Sequence, residues 1–145
     1  MARVRVTRRL HFAAAHRLSR PDWSAERNGE VFGECSHPNW HGHNYELDVT
    51  VEGEVDPETG FVLDLKVLKS LVEERVIGDL DHRNLNLDVG WMDGLIPTTE
   101  NLVVAIWDRL EPAVPAGVDL VRLVLWETPR NYVEYTGGED GGAGE

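Results

Sequence analysis

Residues 43–55, HNYELDVTVEGEV, alternate polar and apolar side chains with a period of two. Tyr45, Leu47, Val49 and Val51 share one side, while Asn44, Glu46, Asp48, Thr50 and Glu52 share the other. An extended chain separates side chains in this way, so the stretch predicts a strand with one buried and one wet face. Such a strand belongs in a sheet whose apolar layer covers a single side. Overlapping its start, residues 35–43 read CSHPNWHGH and hold the sole cysteine and three of the six histidines.

The other elements follow from the same patterning. RVRVTRRLHF over 3–12 alternates in its first half and predicts a strand, which AAAHRL either continues or turns out of. Residues 17–40, with Pro21, Asn28, Gly29, Gly33 and Pro38, read as a long irregular loop of the kind that carries function or moves. DPETG at 56–60 has turn chemistry, and FVL after it reads as a short strand in a hairpin. Asp64 is placed to cap a helix over about 65–77 with Leu65, Leu68, Leu71, Val72 and Val76 as its apolar stripe. GDLDHRNLNLD then breaks the periodicity. Pro97-Thr98-Thr99-Glu100 opens a second helix that buries Leu102, Val103, Ile106, Trp107 and Leu110, and EPAVPAG ends it. VDLVRLVLWET at 118–128 and NYVEY at 131–135 predict two more strands. The order strand, strand, helix, helix, strand, strand points to an α+β domain, a four-stranded antiparallel sheet with both helices on one face. Its two edges need covering or pairing.

Composition narrows the class. With 145 residues, 41% hydrophobic and 28% charged, the chain fits one globular domain, taken as 1–136, followed by an acidic, glycine-rich tail at 137–145. The tail has no bulky apolar group to offset the entropy of ordering and is expected to be disordered. No apolar run approaches the length of a membrane span. MARVRVTRRL lacks the apolar stretch of a secretory signal, so the expected compartment is the cytoplasm. One cysteine makes no internal disulfide. A formal charge of −12 argues against nucleic-acid binding but not against an anionic small molecule, whose local field is set by nearby cations and any metal.

Several residues can carry chemistry. His41 and His43, two apart where an extended segment begins, point to the same side and can share a metal. His16, after three alanines at the end of the first strand, can add a third imidazole from a neighbouring strand. Three imidazoles without a thiolate would leave one position open on Zn²⁺, the pattern of catalytic sites. The plainer alternative is a polar strand entrance with surface histidines. Cys35 is a small buried hydrophobe, a reactive thiol or a ligand. Asp81-His82 is either a solvated loop or a carboxylate that orients an imidazole for proton transfer. Glu127 ends the apolar run from Leu120 to Trp126, where a carboxylate needs a partner. A heterocycle edge with two adjacent N–H donors would satisfy both oxygens.

FAAAH at 12–16, C-x5-HGHNYEL from Cys35, LDHRNLN at 80–86, PTTEN at 97–101 and WET at 126–128 occur in one order along the chain. In this the sequence resembles the 6-pyruvoyl-tetrahydropterin synthase / 6-carboxy-tetrahydropterin synthase family, from Arg3 to Tyr135. The resemblance implies that His16, His41 and His43 bind zinc and that Cys35 is the catalytic thiol, with Asp81 and His82 as the accompanying proton-transfer pair. It implies that Glu127 anchors a pterin ring and that Thr98 and Thr99 form a pterin-contacting turn. It further implies the tunnelling fold, in which three sheets close a twelve-stranded barrel and two trimers stack into a homohexamer with active sites between subunits. His37 and Trp40 depart from the small or amide residues more usual between the thiol and the metal pair, and His11 is expected at the surface or in packing.

The activity implied is a zinc-dependent lyase reaction converting 7,8-dihydroneopterin triphosphate to 6-pyruvoyl-tetrahydropterin with loss of triphosphate. The five-residue spacer after Cys35 and the ETPRNYVEY ending look more like this branch, which serves tetrahydrobiopterin synthesis. The other branch releases acetaldehyde and triphosphate to give 6-carboxy-tetrahydropterin for queuosine and deazapurine synthesis. A zinc-binding assembly protein without catalysis is the alternative of another class. The presence of Cys35, Asp81, His82 and Glu127 together speaks against it.

Overall fold

A computed structural model describes residues 2–138. Its centre is a mixed five-stranded sheet of order β3-β1-β2-β4-β5. Strand β1 (Arg3–His16) and strand β2 (His41–Glu54) run antiparallel along their whole length, from Arg3 opposite Glu54 to His16 opposite His41. Strand β4 (Asp119–Thr128) pairs with β2 from Glu46 to Glu52 through a register shift at Thr50/Val51, and β5 (Asn131–Tyr135) folds back on β4. The two-residue strand β3 (Arg83–Asn84) lies parallel to β1 at Ala14 and Ala15.

The alternation in β2 sorts its side chains as its pattern predicts. Tyr45, Leu47, Val49 and Val51 are buried with Leu10, Phe12, Leu123 and Leu125 beneath the helices. The opposite face is laced with charge pairs, Arg3 and Arg5 on Glu52 and Arg9 on Asp48, but Thr50, expected in water there, is buried against the Thr7 hydroxyl at 2.7 Å.

Four helical segments accompany the sheet: α1 (Ala25–Phe32), α2 (Leu65–Val72), α3 (Gly78–Leu80) and α4 (Thr99–Leu110). A wide π turn, Glu73–Ile77, joins α2 to α3, so the two form one helical body. The buried residues there are Leu68, Val72, Val76 and Leu80, each four apart. Four residues overshoot an ideal turn of 3.6, so a stripe of that spacing rotates off the core face, and a wide turn brings it back. Asp64 caps α2 by accepting from Lys66 N–H at 2.9 Å, and Thr98 caps α4 by accepting from Asn101 N–H at 3.1 Å.

The structure corrects the sequence expectation in four places. The sheet has five strands and is mixed, because β3 adds to β1 in parallel. A third helical body, α1, occupies part of the supposed loop 17–40, with Ser24 as its cap. Residues 61–63 are not a strand: β2 already has β1 on one side and β4 on the other, leaving no edge to pair. Leu65, assigned to the buried stripe, is 42% exposed. Of the segment 137–145, Gly137 is buried against Trp107 and Gly138 N–H donates to the Tyr135 hydroxyl, while 139–145 lie outside the described residues. Among the described residues no helix is long and apolar enough to cross a membrane.

Candidate functional site

The β1–β2 register places His16 directly across from His41, with His43 two residues further along on the same face. The three rings form a near-equilateral triangle, with centroids 4.7, 4.9 and 4.9 Å apart. One ring nitrogen from each lies within 4.8 Å of the others, and this is the one such three-residue cluster among the described residues. Beneath it, the Tyr45 ring stacks on Phe12 at 4.9 Å.

Hydrogen bonding fixes which nitrogens face inward. His16 is fully buried, and its Nδ1–H donates to the Pro97 carbonyl at 2.9 Å. That leaves the Nε2 lone pair free toward the triangle, 3.1 Å from His41 Nε2. His43 Nε2 is buried with no hydrogen-bond partner and stands 3.9 Å from Glu127 Oε1, beyond hydrogen-bond reach. Burial lowers the pKa of both His16 and His43, favouring the neutral ring that binds a metal. Nitrogens this close, one of them orphaned, fit a cation shared by all three.

Glu127 closes the site from β4. The Thr99 hydroxyl, in the first turn of α4, donates to Glu127 Oε2 at 2.5 Å, leaving the other oxygen toward His43. A hollow of about 340 Å³ opens here, lined by Leu18, Thr98, Thr99, Glu127, Tyr132 and Val133. The two threonines divide their work, since the Thr98 hydroxyl is committed to capping the helix.

Cys35 sits half-buried in a single 3-10 turn, Gly33–Ser36, and its carbonyl accepts from Leu18 N–H at 2.7 Å. Arg17 Nε–H donates to the Ser36 carbonyl at 2.8 Å, tying this turn to the end of β1. Burial pushes the Cys35 thiol pKa up, and the negative charges of Glu127 and Glu34 add to the effect. The thiol thus feels the Glu127 carboxylate.

Asp81 and His82 lie outside the triangle, beside β1 at Ala13. Ala13 N–H donates to Asp81 Oδ1 at 2.9 Å, and His82 Nδ1 is 3.1 Å from the same oxygen. The Ala13 N–H, and then His82, hold the Asp81 carboxyl below the usual carboxylate range. His82 adopts left-handed backbone (φ 61°), its N–H donates to Ala13 O at 2.6 Å, and its side chain is 83% exposed. The pair precedes β3 at one edge of the sheet, whereas Glu127 lies three strands away on β4. His82 lines a hollow of about 450 Å³ with Ala13, Ala15, Gly42, His43 and Asn44, so one residue of the triangle borders it too.

One chain therefore brings together His16, His41, His43, Thr99 and Glu127, with Cys35 in the field of the Glu127 carboxylate and Asp81-His82 outside the cluster. His37 is exposed, accepts from Asn39 N–H at 3.2 Å through Nδ1, and is not a member of the cluster. Trp40 takes left-handed backbone (φ 58°) just before His41, and His11 is exposed. Sequence reasoning missed the Pro97 carbonyl as the group that orients His16 and Arg17 as the brace of the thiol turn. Pro97 was visible only as the start of PTTEN, and Arg17 carried no signal.

Residues 5–138 match the family model described as 6-pyruvoyl tetrahydropterin synthase. Over 134 residues, 92% of either chain, the sequence is 48% identical to 6-pyruvoyl tetrahydrobiopterin synthase of Pongo abelii. It is 46% identical to the Homo sapiens protein of that name, again over 92% of both chains. The solved structure of Caenorhabditis elegans 6-pyruvoyl tetrahydropterin synthase is similar with a TM-score of 0.87 at 38% identity, covering 95% of this chain and 98% of that one. A match to nearly the whole chain, in sequence and in fold, means that the protein belongs to the 6-pyruvoyl tetrahydropterin synthase family.

Proposed function

We propose that the protein is a zinc-dependent lyase that converts 7,8-dihydroneopterin triphosphate to 6-pyruvoyl-tetrahydropterin with release of triphosphate. The observation that carries this reading is the part-buried three-imidazole triangle with Glu127 beside it, in a chain 48% identical to a protein named for that activity. His16, His41 and His43 would hold Zn²⁺ through neutral nitrogens, a donor set that leaves a coordination position open. Bound there, the ion would polarise the side-chain oxygens of the substrate and favour the thiolate of Cys35.

The remaining roles belong to the chain's own groups. Glu127, held by the Thr99 hydroxyl, offers a carboxylate to the 2-amino and ring N–H donors of a pterin and so orients the substrate. Cys35 Sγ moves protons between the substrate side chain and the ring. His82 has Nδ1 against Asp81 and presents Nε2 outward as a second acid/base.

Because Asp81-His82 stands beside edge strand β3 and Glu127 is three strands away on β4, with His82 83% exposed, His82 would serve the site of a neighbouring subunit. The edges favour that arrangement. β3 covers β1 only at Ala14 and Ala15, which leaves the rest of that edge and the outer edge of β5 open to pairing. The assembly we propose is a hexamer of two stacked trimers, each closing a twelve-stranded barrel from β1, β2, β4 and β5 of its three subunits, with the two-residue β3 outside it.

Incubation with dihydroneopterin triphosphate, with products identified by mass, tests the reaction. A 6-pyruvoyl product with triphosphate is expected. Acetaldehyde with a 6-carboxy product would assign the other branch, and unchanged substrate would leave a metal-binding protein without this chemistry. Light scattering is expected to report six subunits, and a monomer at micromolar concentration would remove both the barrel and the shared site.

A further inference from the structure

His82 must be held in place by something other than its own conformational preference. A non-glycine residue in left-handed backbone is disfavoured, and it persists where the surrounding chain over-determines it. On one side Ala13 does this, accepting from His82 N–H and donating to Asp81. On the other side stands α3, only three residues long and reached through the π turn. Gly78 begins it, where a Cβ would lie 3.1 Å from the Glu73 carbonyl oxygen.

Arg109, near the end of α4, spans this junction. Its Nε–H donates to the Arg75 carbonyl on the π turn at 3.2 Å, and its terminal nitrogen donates to Asp79 Oδ2 at 3.1 Å. Trp91 Nε1–H donates to the same carboxylate oxygen at 3.0 Å, and the Arg109 guanidinium lies over the Trp91 ring at 5.4 Å. A hollow of about 450 Å³ adjoins Gly78, Asp79 and Trp91 on that side, so these hydrogen bonds supplement the buried Val76 and Leu80 in holding the turn.

We propose that Arg109, acting through Asp79 and the Arg75 carbonyl, is a positioning residue for the Asp81-His82 pair. The proposal rests on the reading of that pair as proton-transfer groups. The Arg109 and Asp79 side chains are 35% and 44% exposed. An ion pair so exposed to solvent adds little to folding stability. Misplacing an acid/base by a fraction of an ångström, by contrast, costs turnover heavily. The clamp therefore matters more for where His82 is presented than for whether the chain folds.

The test compares the metal-loaded parent with Arg109→Met, Arg109→Lys and His82→Ala, and with Arg109→Met combined with His82→Ala. We expect Arg109→Met to lower kcat about tenfold, with KM and metal content near the parent values and a melting temperature only a few degrees lower. Arg109→Lys can hold the carboxylate but not the carbonyl as well, so its kcat should fall between the two. The combined variant should be no slower than His82→Ala alone, because both changes act through one group. Amide hydrogen exchange at Asp81 and His82 should be faster in Arg109→Met, and this readout needs no substrate. An inactive parent would count against the proposed reaction, and exchange would then decide the clamp by itself. Unaltered exchange in Arg109→Met, or a further loss of kcat in the combined variant, would overturn the proposal.

Discussion

The triangle of His16, His41 and His43 and the corner of Asp81-His82 are built in opposite ways. The triangle sits at the end of two long, fully paired strands, beneath the helices, with one ring wholly buried. Its geometry comes from sheet register, which the packed core enforces along fourteen residues of each strand. The corner lies at the sheet edge, on a two-residue strand, with an exposed imidazole on disfavoured backbone. A metal site gains from preorganised, desolvated ligands, whereas a proton donor that serves another subunit has to face outward. Burial and exposure here match the roles proposed for each group.

The largest expected effect comes from breaking the buried half. His41→Ala should lose stoichiometric zinc and with it measurable turnover while keeping its far-ultraviolet circular dichroism, whereas His82→Ala should keep its zinc. Metal analysis of both variants decides. Zinc retained in His41→Ala and lost in His37→Ala would displace the triangle as the metal site.

Cys35→Ala tests whether the thiol works with the triangle. Turnover is expected to fall by about 10²–10⁴-fold, the usual contribution of a positioned acid/base, at unchanged metal content. Near-normal turnover would make Cys35 a packing residue.

Glu127→Gln sharpens the distinction between holding substrate and reacting with it. The amide replaces one acceptor with a donor, setting N–H against N–H at the pterin edge. Pterin affinity measured by calorimetry should weaken by about 1.5–3 kcal/mol, the scale of a charged hydrogen bond. Affinity equal to the parent's would return the anchoring role to Thr98 and Thr99.

The smallest effect concerns the exposed corner. Asp81 has its pKa lowered in the folded chain, so its stabilising contribution is present above the ordinary carboxylate value of about 4 and fades as pH falls through the lower folded value. Asp81→Asn should therefore lower the melting temperature slightly at pH 7 and leave it unchanged at strongly acidic pH. With that carboxylate 39% exposed, the difference should stay under about 1 kcal/mol. A larger cost at pH 7, or a difference that persists in acid, would show that the corner is structural in the way the core is.

Much of this molecule can be read from residue order alone. Strict alternation identifies β2 because side chains on opposite faces meet different solvents, and HGH at its entrance follows the same period, which puts His41 and His43 on one side. The stripe of Leu102, Val103, Ile106, Trp107 and Leu110 identifies the buried face of α4, and Thr98 marks its start. These are local rules that depend on few neighbours. Helix α1 escaped the same rules because it buries only Asn28 and has no apolar stripe.

Other features exist only once distant segments meet. Strand β3 is two residues that become a strand because β1 offers a free edge beside them, and FVL fails to become one because β2 offers none. The π turn corrects a stripe whose four-residue spacing resembles an ordinary helix until it must stay against the sheet. Sequence alone determined which residue types were available for metal, thiol and carboxylate chemistry, because their donor atoms are intrinsic to the side chains. Tertiary structure decided that His16 meets His41 and His43, that Pro97 and Thr99 orient the groups around them, and that His82 stands exposed beside the sheet edge. Those outcomes depend on strand register and edge availability, which are properties of the assembled sheet.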